Sequence, residues 1–301
     1  MKNNGDPKIS IILPTFNRAN YISETIGSIR GQTYSNWELI IIDDGSEDNT
    51  EYLVKQVNDE RISFFKAGRI GIGGTIKNIG LRISDGELIA FIDSDDLWDK
   101  NKLEKQVDAL SRYPEAGFCL TGGYNFRQVG KPVEFFYPES TGERYGKVFL
   151  PIFDSKVAVF TQALMFRKPC LEQSGYFRES NDFSDMEFVL NMAWYFNAVV
   201  LHEPLVHRRL HDENYINTTW ERSYQQGIET ISRFRKERKL PVSKARSALF
   251  RLLIDFGETS LEHGKKSQAI SCFLRAWTNK PISIVSIKKT GKVFLKMFKS
   301  G

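Results

Sequence analysis

Residues 87–98 read Glu-Leu-Ile-Ala-Phe-Ile-Asp-Ser-Asp-Asp-Leu-Trp, and the rest of the chain is best arranged around them. The apolar run from Leu88 to Ile92 has the length of one buried strand of a parallel sheet. Asp93, Asp95 and Asp96 follow it directly, and carboxylates this close repel one another and resist burial. We therefore expect a divalent cation among them, Mg²⁺ or Mn²⁺, shared with substrate phosphates. The alternative is a solvated acidic turn in front of the next helix.

Length, charge and cysteine content set the class of protein. With 301 residues the chain can bury a sizeable core, and its mild formal charge of +5 favours small anionic ligands and no nucleic-acid partner. Cys119, Cys170 and Cys272 lack disulfide or zinc spacing, which fits a reducing, cytoplasmic setting. No apolar run approaches signal-peptide or membrane-spanning length. We expect a soluble protein or one bound to the inner face of a membrane.

Strands and helices alternate through the first third of the chain. Apolar runs predict strands at Lys8 to Leu13, Glu38 to Ile42, Ile62 to Phe65 and Leu88 to Ile92. Helical spacing follows each strand, which predicts an α/β fold with a doubly wound, mostly parallel sheet that binds ligands at the carboxyl ends of its strands. Polar clusters stand at those ends, at Pro14 to Arg18, Asp43 to Ser46 and Asp93 to Asp96. The polar clusters in the sequence and the expected sheet topology thus both predict a ligand site at the carboxyl ends of the strands.

The glycines after the third strand do not indicate a dinucleotide site. Gly71, Gly73 and Gly74 follow the third strand, whereas the first strand-to-helix turn has no glycine, which argues against a Rossmann-type NAD site. A flexible turn is the preferred explanation of these glycines.

Several motifs occur in order within a resemblance that covers about residues 8 to 215 and is most specific before residue 113. They are Ile11-Ile-Leu-Pro-Thr-Phe-Asn-Arg18, Gln32-Thr-Tyr34, Trp37-Glu-Leu-Ile-Ile-Ile-Asp-Asp-Gly-Ser46, Asn78 with Gly80, Gly86-Glu87, and Phe91-Ile-Asp-Ser-Asp-Asp-Leu-Trp98. Together they resemble the family 2 glycosyltransferases. The resemblance implies a GT-A fold with nucleotide-binding and acceptor-binding halves, and metal-dependent transfer of a sugar from a nucleotide donor with inversion at the anomeric carbon.

The resemblance also assigns residues to the donor and the metal. The residues implied for the nucleotide pocket are Pro14, Thr15, Phe16 and Asn17. Asp43 is implied to accept a hydrogen bond from the base, most often uracil, whose imide N–H suits a carboxylate. Asp93 is implied near the ribose and Ser94 is implied to bind substrate. Asp95 together with Asp93 is implied to hold Mn²⁺ or Mg²⁺. Asp96 either supports that site or caps the following helix.

Lys77-Asn78 stands where the family has an Arg-Asn pair. Lys77 keeps a positive charge for the diphosphate but loses the bidentate fork of arginine. Further on, Arg209-Leu210-His211 matches an Arg-x-His pattern that family members often carry, which implies that His211 lies close to the metal and diphosphate. The alternative is an ordinary surface or core histidine.

Asp185 corresponds to the family's general base, at the start of a helix. The glutamate that precedes the base in the family is Ser184 here, and a common downstream arginine is Asn191, departures that concern acceptor specificity. Asp185 is alternatively a helix-terminal carboxylate stabilised by the macrodipole. Asp182 is the competing candidate for the base.

The sequence predicts three regions, residues 1–113 for the nucleotide-sugar, 114–230 for the acceptor and 231–301 as a C-terminal helical extension. In the second region we expect a polar loop from Gly122 to Lys131 and a strand from Val157 to Phe166 that contains Thr161 and Gln162. The segment from Phe135 to Pro151 has the composition of a mobile acceptor loop or of an ordinary long connection.

The last region predicts an αα-hairpin with Gly264 between apolar stripes at Leu249 to Phe256 and Ala269 to Trp277. One such unit cannot bury both faces, so we expect it to pack on the catalytic half or to pair with a second subunit. The stretch from Ile287 to Lys299 mixes lysines with apolar side chains, which suits contact with an anionic membrane. The alternatives are a solvated tail and a helix docked on its own domain.

These patterns lead to one functional hypothesis and two rivals. We expect transfer from a UDP-sugar to a hydroxyl of a saccharide or lipid-linked acceptor, in cell-surface polysaccharide synthesis. A sugar-nucleotide pyrophosphorylase would need a glycine-rich basic loop after the first strand, where Pro14 to Arg18 stands instead. A non-catalytic saccharide-binding or nucleotide-sugar-binding protein is the other rival, which Lys77 and Ser184 keep open.

Overall fold

The computed structural model describes residues 5–136, 142–154, 157, 159–179, 184–211 and 215–279. The chain forms two compact units, Met1–Asn214 and Tyr215–Gly301. The boundary predicted between residues 230 and 231 lies inside a helix that runs from Tyr215 to Lys236.

The first unit is built around a single sheet of ten strands. Its first elements are β1 (Ile9–Thr15), α1 (Ile22–Arg30), β2 (Trp37–Asp43), α2 (Thr50–Lys55), β3 (Ile62–Lys66), α3 (Gly73–Ile83), β4 (Leu88–Phe91), β5 (Leu97–Trp98) and α4 (Lys102–Arg112). Those that follow are β6 (Ala116–Gln128), β7 (Lys131–Phe136), β8 (Glu143–Gly146), α5 (Phe149–Phe153), a 3₁₀ turn (Thr161–Ala163), β9 (Leu164–Arg167), a second 3₁₀ turn (Lys168–Cys170), α6 (Leu171–Ser174), α7 (Asp185–Tyr195) and β10 (Asn197–Arg209).

The sheet is mostly parallel, as predicted. Its order is β3-β2-β1-β4-β9-β6-β10-β5, with β7 paired to β6 and β8 to β10. The strands β1 to β4 run parallel, β6 runs parallel to β10, and β9 runs antiparallel between β4 and β6. Strands β1 and β4 are buried along nearly their whole length, which explains their unbroken apolar sequences.

Two stretches differ from the sequence prediction. The expected polar loop from Gly122 to Lys131 instead lies in a hairpin of β6 and β7. Contacts between aromatic rings on neighbouring strands stabilise this hairpin, although its sequence lacks a regular strand pattern. Tyr124 stacks on His207 of β10 at 4.2 Å between ring centroids. The strand expected from Val157 begins only at Leu164, after the 3₁₀ turn, and residues 155, 156 and 158 lie outside the described part.

The second unit contains α8 (Tyr215–Lys236), α9 (Val242–Glu262) and α10 (Lys266–Asn279) in its described part. Phe250, Leu253 and Ile254 of α9 pack with Ala269, Phe273 and Ala276 of α10. The predicted αα-hairpin is therefore present as α9 and α10. The basic segment Ile287 to Lys299 lies outside the described residues. No helix in the described ranges is both long and apolar enough to cross a membrane.

A lysine lies fully inside the core of the first unit. Lys102 of α4 has 0% exposure, its Nζ is 2.7 Å from Gln106 Oε1 and 3.9 Å from the centroid of the Trp98 ring. Burial disfavours the charged form and lowers the pKa of Lys102 to about 7. An unfolded lysine titrates near 10.4, so between pH 7 and 10 the unfolded chain binds more protons and stability rises with pH.

The variant Lys102→Met should lose this pH dependence. Urea unfolding at pH 7 and pH 9 should show that the wild type gains on the order of 2 kcal/mol relative to the variant over that interval. Lys100→Met, the same change at an exposed lysine, serves as the control and should follow the wild type. An equal pH dependence in wild type and Lys102→Met would contradict the assignment.

Candidate functional site

The predicted site residues meet at the carboxyl ends of the central strands. Thr15 at the end of β1 is in register with Asp43 at the end of β2. Asp93 and Asp95 follow β4, and His211 follows β10 and reaches Asp95. The parallel sheet thus brings together residues that are far apart in the chain.

One carboxylate oxygen of Asp95 contacts the side chains of both Arg18 and His211. Arg18 Nε lies 3.2 Å and His211 Nε2 lies 3.0 Å from its Oδ2. Burial alone would raise the pKa of Asp95, but the hydrogen bond from His211 and the charge of Arg18 outweigh it and hold the pKa below its usual value. The imidazole of His211 in turn lies 4.7 Å from the Tyr21 ring. Asp95 is therefore ionised and fixed in place.

The negative charge of Asp93 is less well compensated than that of Asp95. Its Oδ2 accepts a hydrogen bond from the side-chain amide of Gln162. Burial raises the pKa of Asp93 to about 6, against the favourable charge of Lys77 and with the repulsion of Asp95 and Asp185. An added cation would relieve this repulsion.

Asp96 has a structural role. Its Oδ1 accepts a hydrogen bond of 2.8 Å from the backbone N–H of Arg209, so it does not cap the following helix. The Arg209 guanidinium donates to the Asp95 carbonyl at 2.8 Å and to Glu24 at 2.5 Å. Burial and the neighbouring aspartates raise the pKa of Asp96 well above its usual value. This cluster fastens the end of β10 to the loop after β4.

On the nucleotide side, Asp43 presents an oxygen without a partner. The side chain is 2% exposed, Oδ2 accepts the Ser46 N–H at 3.0 Å, and Oδ1 is buried without a hydrogen bond in the described part of the chain. A buried acceptor that lacks a donor is costly, and the imide N–H of uracil is a donor of the right kind.

The loop after β1 is fixed by its own contacts. Asn17 has a positive φ of 50°, donates its N–H to Ser46 Oγ at 2.8 Å and accepts the Glu47 N–H at 2.8 Å. The ring of Phe16 lies 3.8 Å from the guanidinium carbon of Arg69, a residue that the sequence did not single out. The contacts of Asn17 therefore fix the conformation of this loop, and Phe16 packs against Arg69.

Lys77 and Asn78 are engaged within the protein. Lys77 Nζ lies 2.7 Å and 2.9 Å from the two carboxylate oxygens of Asp185 and 3.2 Å from Thr161 Oγ1. These contacts match the three N–H donors of a lysine. Burial lowers the pKa of Lys77, but the charges of Asp185 and Asp93 outweigh it and hold the pKa above its usual value.

Asn78 exchanges hydrogen bonds with the backbone of Phe177, at 2.9 and 3.0 Å. Its amide also reaches Glu179 at 3.1 Å. Lys77, predicted to face the diphosphate, and Asn78, predicted to bind substrate, thus contact α7 and the segment before it in this structure.

Asp185 is the first residue of α7, and its side chain is 41% exposed. Ser184, directly before it, is buried against Gly74 at the start of α3, and a side-chain carbon on Gly74 would overlap the Ser184 hydroxyl. The glycine therefore allows α3 and α7 to approach closely, which places Lys77 beside Asp185. Asp182 lies outside the described residues.

Thr161 and Gln162 are neighbours in one 3₁₀ turn and contact two different carboxylates, those of Asp185 and Asp93. Thr161 Oγ1 donates to Asp185 Oδ2 at 2.9 Å, while Gln162 donates to Asp93. The sequence placed both residues near the acceptor but gave no signal for these partners, because no motif marks a 3₁₀ turn between two distant carboxylates.

The donor set fits a hard divalent cation. Asp93 and Asp95 offer carboxylate oxygens, and Mg²⁺ or Mn²⁺ in such sites uses one or two carboxylates together with substrate phosphates. No three Asp, Glu, His or Cys side chains within the described ranges form a complete cage. In a site of this kind, substrate phosphates and water would supply the remaining ligands.

Comparison with known proteins bears on this geometry. The family model "Glycosyl transferase family 2" matches residues 10–172. An uncharacterised glycosyltransferase of Rickettsia typhi is 30% identical over 231 residues, 72% of this chain and 68% of the relative. The Escherichia coli enzyme WfgD, named UDP-Glc:alpha-D-GlcNAc-diphosphoundecaprenol beta-1,3-glucosyltransferase, is 41% identical over 105 residues, 35% of this chain and 42% of that protein.

Two solved structures share the fold. Staphylococcus aureus TarS 1-349 in complex with UDP-GlcNAc aligns with a TM-score of 0.64 at 16% identity, over 92% of this chain and 93% of that one. The mannosyltransferase PcManGT of Pyrobaculum calidifontis in complex with GDP-Man and Mn²⁺ aligns with a TM-score of 0.62 at 17% identity, over 97% and 81%. The sheet described above is thus of the GT-A type, and the chain belongs to glycosyltransferase family 2.

Proposed function

We propose that the chain transfers a sugar from a UDP-sugar to a hydroxyl of a saccharide or lipid-linked acceptor, with inversion, in cell-surface polysaccharide synthesis. One observation carries the proposal: the turn Thr161–Ala163 joins the carboxylate of Asp185 to that of Asp93. A candidate base and a candidate metal ligand therefore face one site. The relative WfgD, whose name gives a UDP-sugar donor and a diphosphoundecaprenol-linked acceptor, supports this substrate class.

In the proposed reaction Asp185 takes the proton of the acceptor hydroxyl. The acceptor oxygen forms a bond to the anomeric carbon as the bond to the diphosphate oxygen breaks, and the electron pair of that bond leaves with the nucleotide. No covalent intermediate with the protein is needed. Asp43 accepts the imide N–H of uracil, and Pro14 to Asn17 line the nucleotide pocket.

Asp93 and Asp95 would hold Mn²⁺ or Mg²⁺, with Ser94 and His211 close to the donor. When bound, the ion offsets the negative charge on the departing diphosphate. In the described structure Arg18 and His211 keep the Asp95 carboxylate ionised and oriented. We place the reaction in the cytoplasm, at the inner face of the membrane when the acceptor carries a lipid.

Removing the carboxylate of Asp43 should weaken base recognition. In a thermal-shift panel of UDP, GDP, ADP and CDP with Mn²⁺, we expect UDP to raise the melting temperature of the wild type most, since a ligand that binds only the native state stabilises it. Asp43→Ala should lose the preference for UDP, whereas Glu47→Ala, at an exposed position in the same loop, should keep it. Equal stabilisation by all four nucleotides in the wild type would contradict the role of Asp43.

Asp95→Asn tests the metal site. The difference in UDP-induced stabilisation with and without Mn²⁺ should be clear in the wild type and small in the variant, because a neutral amide binds a hard cation poorly. The melting temperature of the variant without ligand shows separately whether the changed contacts of residue 95 with Arg18 and His211 destabilise the fold. Should UDP stabilise the wild type equally in the presence of EDTA, the metal assignment is wrong.

Asp185→Asn tests the base. Transfer from the preferred UDP-sugar should fall by about 10²- to 10⁴-fold, the usual contribution of a general base, while Mn²⁺–UDP still stabilises the fold. Glu172→Gln, at an exposed helical position, is the matched control and should retain activity. Undiminished turnover in Asp185→Asn would reject the base, and donor binding without turnover in the wild type would favour the non-catalytic alternative.

A further inference from the structure

The carboxylate of Asp185 is held unequally at its two oxygens. Oδ1 lies 2.7 Å from Lys77 Nζ, whereas Oδ2 lies 2.9 Å from the same nitrogen and 2.9 Å from Thr161 Oγ1. Each carboxylate oxygen has two lone-pair sites. Among the described contacts, Oδ2 has therefore used both sites and Oδ1 only one.

The direction of the Thr161 hydroxyl follows from the chemistry of its neighbours. The ammonium of Lys77 can only donate, so at 3.2 Å Thr161 Oγ1 must accept from it. The single hydroxyl hydrogen is then left for Asp185 Oδ2. The hydroxyl thus has one orientation, with both of its neighbours satisfied.

We propose that Thr161 is a positioning residue for the general base: its hydroxyl occupies Oδ2 and so makes Oδ1 the oxygen that takes the proton from the acceptor. The inference rests on the proposed function, namely on Asp185 as the base. It adds to that function a residue that no motif marks and a choice between the two oxygens of the carboxylate.

The place of Thr161 in the fold suits this role. The side chain is 0% exposed and belongs to the 3₁₀ turn before β9. Gln106 of α4 donates to the Ala163 carbonyl at 2.9 Å, and Gln162 donates to Asp93. Because the middle and last residues of the turn are fixed by these contacts, we expect the hydroxyl to keep its place if Asp185 rotates. The turn therefore defines the orientation of the base relative to Asp93.

The proton balance is consistent with this arrangement. The acceptor O–H gives its proton to Oδ1, the new C–O bond forms, and the nucleotide leaves with the electron pair of the broken bond. Asp185 is then neutral. Its side chain is 41% exposed, so the proton can pass to solvent before the next turnover. Thr161 gives up no proton at any step.

The experiment compares Thr161→Val, which removes the hydroxyl at nearly constant shape, with Thr161→Ser, which keeps it. The matched control is Thr121→Val, since Thr121 is 2% exposed and its hydroxyl has no hydrogen bond within the described part of the chain. Measured quantities are kcat and donor KM for transfer, and the rise in melting temperature with Mn²⁺–UDP.

Thr161→Val should lower kcat by about 10- to 100-fold, the cost of a misplaced reacting group, with donor KM and Mn²⁺–UDP stabilisation unchanged. Thr161→Ser should recover most of the loss, and Thr121→Val should behave as wild type. An unchanged kcat in Thr161→Val, or an equal loss in Thr161→Ser, would overturn the inference. If Thr161→Val does not fold, Thr161→Ala, which also removes the hydroxyl donor, takes its place under the same criteria.

A double variant separates positioning from general damage. If Thr161 acts through Asp185, Thr161→Val should cost little further in the Asp185→Asn background, because the group that it orients no longer accepts a proton. If the two losses multiply, Thr161 acts elsewhere and the inference fails. Retained turnover in Asp185→Asn alone would instead reject the proposed base, so the two failures are distinguishable.

Discussion

The carboxylates of Asp93, Asp95 and Asp96 lie within four residues after β4, and withdrawing them from water is costly unless positive or donor groups surround them. The partners come from three distant parts of the chain. Arg18 follows β1, Gln162 precedes β9, and Arg209 ends β10. Because each is needed to offset a buried acid, the strand ends that carry them are fixed relative to β4. The contacts that compensate the buried acids of the candidate site thus also hold the strand ends of the sheet in place.

The conformation of Asp185 depends on a second buried charge, that of Lys77. Lys77 lies in a largely aromatic environment, 5.4 Å from the centroid of the Phe177 ring, and its ammonium is neutralised by Asp185. Removing one partner of such a pair leaves the other uncompensated, which is the expensive case. The candidate base is therefore also a structural counter-ion, and its conformation is set by α3 as much as by its own helix.

The sequence alone predicted the features of the site that follow from the positions of the strand ends. The doubly wound, mostly parallel sheet is confirmed, and Asp43, Asp93, Asp95 and His211 lie together because carboxyl ends of parallel strands meet at one edge. Their roles in binding remain predictions.

Contacts between side chains far apart in the chain could not be predicted. Lys77 matched a diphosphate-binding position by motif, yet its partner Asp185 is 108 residues away and depends on the close approach that Gly74 permits. The 3₁₀ turn at Thr161 and the β6–β7 hairpin depend on tertiary partners in the same way.

The position of β9 has a consequence for how the chain is made. This strand, residues Leu164–Arg167, inserts antiparallel between β4 and β6. When a ribosome has completed only the segment through α4, the backbone groups along one side of β4 lack the strand neighbour that β9 supplies in the finished protein. Open, hydrophobic strand edges recruit other chains. We therefore expect a chain that ends at α4 to expose this edge of β4 and to associate with other chains, and we expect the addition of β9 to cover that edge.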